Sequence, residues 1–274
     1  MPLTLYHGSE QIIGKPEFCK GRKNNDYGQG FYLTDEIDLA KEWAVEKDRD
    51  GYINCYELNL ENLNVLDLNS TQYSIFNWIA MLASNRKFNV YKTQEVVKLK
   101  FLDRFFIDLA PFDAIKGYRA DDRYFNFAKA FFNNILPANI LKEVFKLGNL
   151  GRQYCIKSQK AFDNIVYVEN VKVSNSEWYV KRIERNDKAN DEYNKLVDSL
   201  NERRVKGNLN IDDYVTINYI IDNNIFPDFL DFPNIDDEMK EKVLSIKTDY
   251  EKTCECGTDF EKDLDICCKT LKNY

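Results

Sequence analysis

Apolar and polar residues alternate in short bursts along the first part of the chain, and the period then lengthens. Residues 3–7 alternate two by two and predict a short strand ending in His7-Gly8. A polar stretch over 10–26, with Gly14, Pro16 and Gly21, predicts a loop. Phe31-Tyr32-Leu33 predicts a second strand. Thr34 is suited to cap a helix running to about Lys47. Asp35 and Glu36 favour its first turn, and Ile37, Ala40, Trp43 and Ala44 share one face. Alternation resumes around Ile53, Cys55, Tyr56, Leu58 and Leu60, so one or two strands are expected between 52 and 68.

Helical spacing dominates the middle of the chain, over 74–84, 93–106, 124–133 and 138–147, with a break near Pro137. A strand is expected from Asp113, running into a polar turn through Arg119, Asp121 and Asp122. Another is expected at 153–157. Ser158 then caps a short helix, and 165–173 forms a last strand. From about Ser176 the chain becomes charge-dense. Tyr193, Leu196, Val197 and Leu200 make an amphipathic helix within 178–205, and 208–274 reads as helical around an acidic linker. The expected organisation is α+β over residues 1–174, followed by a helical accessory region over 175–274.

Composition narrows the classes. Among 274 residues, 44% apolar and 14% aromatic content suffices for a packed core. A net charge of −7 gives no whole-chain basic field for nucleic acid, although a local patch would suffice for a nucleic-acid substrate. No apolar run approaches the roughly 20 residues of a membrane span, so no membrane partner is expected. The first residues lack the pattern of a signal peptide, and a cytoplasmic location is expected, with delivery as an effector left open. The seven cysteines are an odd number. Cys19, Cys55 and Cys155 read as small buried apolar residues. Cys254, Cys256, Cys267 and Cys268 lack standard zinc spacing, and no metal is expected.

Candidate chemistry centres on the single histidine, His7, followed by Gly8 and Ser9. The ordered set Leu-Tyr-His-Gly-Ser, Asp-Tyr-Gly-x-Gly-Phe-Tyr-Leu-Thr, Ala-x-x-Trp-Ala, Gly-Tyr-Arg-Ala-Asp-Asp and Leu-Gly-x-Gln-x-x-x-Lys-Ser-x-Lys-Ala-Phe resembles the DUF3990 family. That family is related to ADP-ribosyltransferases of the histidine–tyrosine branch. The likeness extends over about residues 3–205.

The resemblance implies a split β-sheet core with inserted helices, NAD+ as co-substrate and no metal. It implies transfer of ADP-ribose to a macromolecular acceptor, protein or nucleic acid, with release of nicotinamide. The setting it suggests is a bacterial toxin, effector or phage-defence enzyme, with room for an inhibitory partner protein. By the same resemblance, His7 would bond ribose hydroxyls as a neutral imidazole, and the Gly8 backbone would clamp the carboxamide. Ser9 would add a hydroxyl contact, Tyr32 would stack on the nicotinamide ring, and Gly28 and Gly30 would permit the turn before its strand. Where this branch often carries Glu, the chain has Gln153, which can bond a 2′-hydroxyl but brings neither charge nor a base.

Arg119 would hold the pyrophosphate, and Asp121 or Asp122 would orient the acceptor or replace the missing base; the same residues also read as a solvated turn. Lys157, Ser158 and Lys160 read either as a phosphate contact or as a plain helix cap. Two other functions fit the pattern: a module that holds NAD or ADP-ribose without turnover, and an NAD glycohydrolase.

Overall fold

The computed structural model describes residues 2–86, 89–120, 122–133, 135–147 and 151–206. The elements run β1 (Leu3–Ser9), β2 (Phe31–Leu33), α1 (Ile37–Ala44), β3 (Gly51–Leu58), β4 (Val65–Asp67), α2 (Ile75–Asn85) and α3 (Glu95–Phe105), then β5 (Ala114–Tyr118), α4 (Asp122–Phe132), α5 (Leu141–Val144), β6 (Arg152–Ile156), α6 (Gln159–Asp163), β7 (Ile165–Val173) and α7 (Asn175–Val205). The class is α+β. One antiparallel sheet has the order β1-β3-β7, with a bulge between Cys55 and Tyr56; a mixed sheet has the order β2-β6-β5-β4. The two sheets meet at one bridge, where Tyr6 and Thr34 exchange backbone hydrogen bonds of 2.8 and 2.9 Å.

The largest core lies on the four-stranded sheet. α2 is buried nearly all round, with Phe76, Trp78, Ile79, Met81 and Leu82 inaccessible to solvent, as expected of a helix apolar on every side. Its start is held by a reciprocal capping box between Ser74 and Asn77. Phe101 of α3 and Phe131 and Phe132 of α4 pack over it, while Leu66, Ile115 and Cys155 form the floor. A second cluster, with Leu5, Leu33, Tyr56 and Ile156, fills the space between the sheets.

α7 packs on this body. Trp178 joins Ala40, Ala44, Ile53 and Val173 in a third cluster. Ala189 is buried, and Tyr193 stacks on Phe127 with ring centres 4.4 Å apart. Arg182 donates to the Glu42 and Val45 carbonyls at the end of α1, at 3.2 and 3.1 Å, where unpaired carbonyls favour a cation.

Three local expectations need correction. α1 begins at Ile37, with Glu36 at its N-cap. Thr34 is instead the last sheet residue, its hydroxyl donating to the Arg152 carbonyl at 2.8 Å and accepting from the Glu36 amide; the bridge to Tyr6 outcompetes the cap. Over 138–147 the expected helix is instead a single 3-10 turn (Ala138–Ile140), with Pro137 at its N-cap, followed by the four-residue α5. Cys19 is exposed in a left-handed turn with φ of 64°, whereas Cys55 and Cys155 are buried as expected. The helices expected over 208–274 and the Cys254, Cys256, Cys267 and Cys268 cluster lie outside the described residues. Among those residues no helix is long and apolar enough to cross a membrane, and no histidine, cysteine and carboxylate group is arranged to hold a metal.

Candidate functional site: a basic cleft where the sheets part

Beyond the Tyr6–Thr34 bridge the two sheets separate. An antiparallel ladder continued from that bridge would pair Gly8 with Tyr32. The Tyr32 carbonyl instead accepts a 2.7 Å hydrogen bond from Nδ1 of the His7 side chain. The imidazole acts as a wedge between β1 and β2. Alternation along β1 puts the Gly8 N–H and C=O on the same edge as those of Tyr6, towards the gap and away from β3.

A cleft of about 920 Å³ opens there, lined by His7, Gly8, Gly30, Tyr32, Trp43, Arg119 and Gln153 together with the 11–26 loop. Six of the residues singled out from sequence therefore converge: His7, Gly8, Gly30, Tyr32, Arg119 and Gln153. Ser9 does not line the cleft. Its hydroxyl meets the Gln11 carbonyl and accepts from Asn54 at 3.1 Å, which turns it into the loop. Asp121 lies outside the described residues. Lys157, Ser158 and Lys160 also stand apart. Lys157 donates to the Tyr27 carbonyl at 2.6 Å, Ser158 caps α6 through the Ala161 amide, and Lys160 reaches the Asn62 carbonyl. That is the plain-cap reading.

Each convergent residue has a definable state. Burial pushes the His7 pKa below its ordinary value of 6.5, against the pull of the Tyr32 carbonyl, so the ring is neutral at pH 7. With Nδ1–H donating, Nε2 is left as an acceptor. Tyr32 has its hydroxyl engaged, donating to the Gly28 carbonyl at 2.7 Å and accepting from the Tyr27 amide at 3.0 Å. Burial raises its pKa well above 10, so it serves as a ring and not as an acid. The Arg119 guanidinium lies 4.6 Å from the Trp43 ring centre, a cation–π pair on the cleft wall.

The glycines have two separate causes. Gly28 has φ of +77° and makes the turn before β2. Gly30 is set by packing, since a Cβ there would lie 2.4 Å from Cys155 Sγ. Gly8 is set by packing too: its Cβ would lie 2.0 Å from the Ala40 carbonyl oxygen in α1.

Asp26 is the residue that sequence reasoning missed. Its carboxylate is only 5% exposed yet lines the cleft. It accepts from Gln153 Nε2 at 2.8 Å and the Ala120 amide at 2.9 Å, with Arg86 Nε at 3.3 Å. Burial raises its pKa; Arg86, the Ala120 and Gln153 bonds and Arg119 oppose that. An Asp ahead of Tyr-Gly looks like a turn residue in sequence, and only its position in an otherwise apolar motif hints at more. Gln153 is 3% exposed and also donates to the Tyr118 carbonyl at 3.2 Å, a group that accepts from Tyr27 and Trp78 as well.

The cleft inverts the sign of the chain. Among the described residues, Lys15, Lys20, Arg22, Arg86 and Arg119 line it against Glu17 and Asp26, in a protein of net charge −7. Such a site attracts an anionic ligand. Comparison with protein families agrees with the motif order. The chain belongs to the DUF3990 family. The family model, described as a protein of unknown function, matches residues 3–167, so the DUF3990 region contains every described cleft residue. No curated protein and no solved structure matches the chain.

Proposed function

We propose that this DUF3990 protein is an NAD+-dependent mono-ADP-ribosyltransferase with a split-sheet core of the ADP-ribosyltransferase type. The observation that carries the reading is the His7–Tyr32 wedge: one bond opens the sheet, fixes the imidazole tautomer and leaves the Gly8 backbone at the mouth of a basic cleft. A planar carboxamide suits the paired N–H and C=O of Gly8. His7 Nε2 accepts from a ribose hydroxyl, the Tyr32 ring packs on the nicotinamide, and Arg119 with Arg22 or Arg86 neutralises the pyrophosphate. The cleft is also within the roughly 300–1,000 Å³ usual for ligand pockets.

NAD+ supplies a glycosidic bond whose electron pair leaves with neutral nicotinamide; an acceptor lone pair then closes on C1′ and the acceptor loses a proton. The protein residues grip, orient and shield this site, and positive charge that develops on the ribose is met by the Gln153 amide oxygen. Asp121 remains a candidate to orient the acceptor. The acceptor is a macromolecule, protein or nucleic acid. A toxin, effector or phage-defence role, a cytoplasmic location and an inhibitory partner are consistent with this chemistry.

Gln153 supports a second reading, a module that binds NAD or ADP-ribose without turnover, because an amide is a weaker electrostatic partner than a carboxylate. The test is incubation of the protein with isotopically labelled NAD+ and a cell lysate. A transferase gives an ADP-ribose adduct that His7→Ala abolishes. Nicotinamide release without adduct identifies a glycohydrolase. NAD-dependent thermal stabilisation without release identifies the binding module.

A further inference from the structure

We infer that Asp26 is a positioning residue for Gln153, and that the pair together supplies the negative field a single carboxylate would bring to the cleft. This inference rests on the NAD reading above. The amide orientation follows from its surroundings. The terminus facing Asp26 Oδ2 and the Tyr118 carbonyl faces two acceptors, at 2.8 and 3.2 Å, so it is the NH2 group. Both of its hydrogens are engaged, and Oε1 is the part of the side chain left to meet a ligand hydroxyl. The hydrogen bond from Nε2 to an ionised carboxylate polarises the amide and enriches Oε1 in negative charge.

Asp26 itself is not available as a proton acceptor for the incoming group. Oδ2 takes the Gln153 and Ala120 hydrogens, and Oδ1 faces Arg86. The titratable and polar side chains around it are Arg86, Arg119, Tyr27, Tyr32, Cys155 and Gln153. Asp26 is held by both halves of the site. Its loop precedes β2, Arg86 follows α2, and Gln153 sits on β6 opposite Gly117 of β5. A Cβ at Gly117 would lie 2.2 Å from the Tyr27 hydroxyl, so there is no slack beside the pair.

The test is a double-mutant cycle on the full chain with Asp26→Asn, Gln153→Glu and the combined swap, plus Asp26→Ala. Three readouts are taken: melting midpoint without NAD, NAD-dependent midpoint shift, and nicotinamide release. Gln153→Glu places two carboxylates in contact and is expected to lower the midpoint. Adding Asp26→Asn restores one amide–carboxylate hydrogen bond and recovers at least about 3 °C of that loss. Recovery is partial, because the Tyr118 carbonyl still faces the new carboxylate. Asp26→Ala frees the Gln153 amide and cuts nicotinamide release roughly tenfold, with a smaller loss in Asp26→Asn, which can still accept from Nε2.

Strictly additive midpoints across the cycle overturn the pairing. A coupled cycle with wild-type release and NAD response in Asp26→Ala overturns the positioning role and leaves Asp26 a structural residue. Failure of the NAD reading has a different signature: wild-type protein with neither NAD-dependent shift nor release, whatever the cycle gives.

Discussion

The His7 imidazole donates to the Tyr32 carbonyl at 2.7 Å, in the place where the β1–β2 ladder would have joined Gly8 to Tyr32. A side chain replaces a backbone donor, and the sheet parts as a result. The same bond leaves Nε2 as the acceptor. In the function proposed above, His7 therefore joins an architectural role to a ligand-binding one, and one substitution removes both.

His7→Ala is expected to lose the NAD-dependent melting shift while keeping its fold. The lost hydrogen bond costs about 1 kcal/mol, or about 2–4 °C in midpoint for a domain of this size. A full NAD response in the variant would remove His7 from the site.

The pKa shift of His7 gives a pH prediction with a definite sign. Its folded value lies below 6.5 because burial disfavours the imidazolium. At and above neutral pH both folded and unfolded forms are neutral, and the full stability is present. As pH falls below 6.5 the unfolded chain takes up the proton first, so stability declines until the folded pKa is passed. In the NAD reading, binding is expected to weaken only at lower pH, as the folded pKa itself is reached, since a protonated Nε2 no longer accepts. Melting curves from pH 7.5 to 4.5, with His7→Ala as reference, isolate this contribution from the raised carboxyl groups of Asp26 and Glu42.

Gly8→Ala tests the packing of β1 on α1. The added methyl would sit 2.0 Å from a backbone oxygen, so strand or helix must shift. A destabilisation of at least about 1–3 kcal/mol is expected in urea unfolding. Unchanged stability would show that α1 lies farther from β1 than described.

Arg185 and Glu42 form a partly buried ion pair at 2.5 Å that ties α7 to α1. Arg185→Ala strands the 6%-exposed Glu42 and is expected to cost about 2–4 kcal/mol, less than a fully buried pair because the Arg185 side chain keeps 17% exposure. Burial already raises the Glu42 pKa, with Arg185 opposing it. Without Arg185 the folded pKa rises further, so the loss grows as pH climbs through it. Adding Glu42→Gln should recover part of the loss and flatten that pH dependence in denaturant titrations.

Much of the fold was legible in local pattern. Ser158 stands as a helix cap where expected, α2 falls within its helically spaced run, β6 and β7 lie where strands are expected, and Cys155 is buried as expected. Thr34 was misread because a cap and a sheet end want the same residue type, and the choice between them lay with Tyr6, 28 positions away. Gly8 and Gly30 were identified as site residues from their motif, yet close approach to α1 and to Cys155 explains why neither tolerates a side chain.

The sequence by itself determined the residue types of the cleft: one histidine, a tyrosine in a Gly-Phe-Tyr strand, an arginine after β5 and a glutamine opening β6. Those follow from period, turn chemistry and motif order, all of which act over a few residues. Tertiary structure alone decided which atoms meet. Asp26 and Gln153 are 127 positions apart and come within 2.8 Å, and the basic residues that line the cleft are scattered through a chain whose net charge is acidic. Burial and long-range register set these relationships, because desolvation makes each buried polar group take the partner that folding brings to it, wherever that partner lies along the chain.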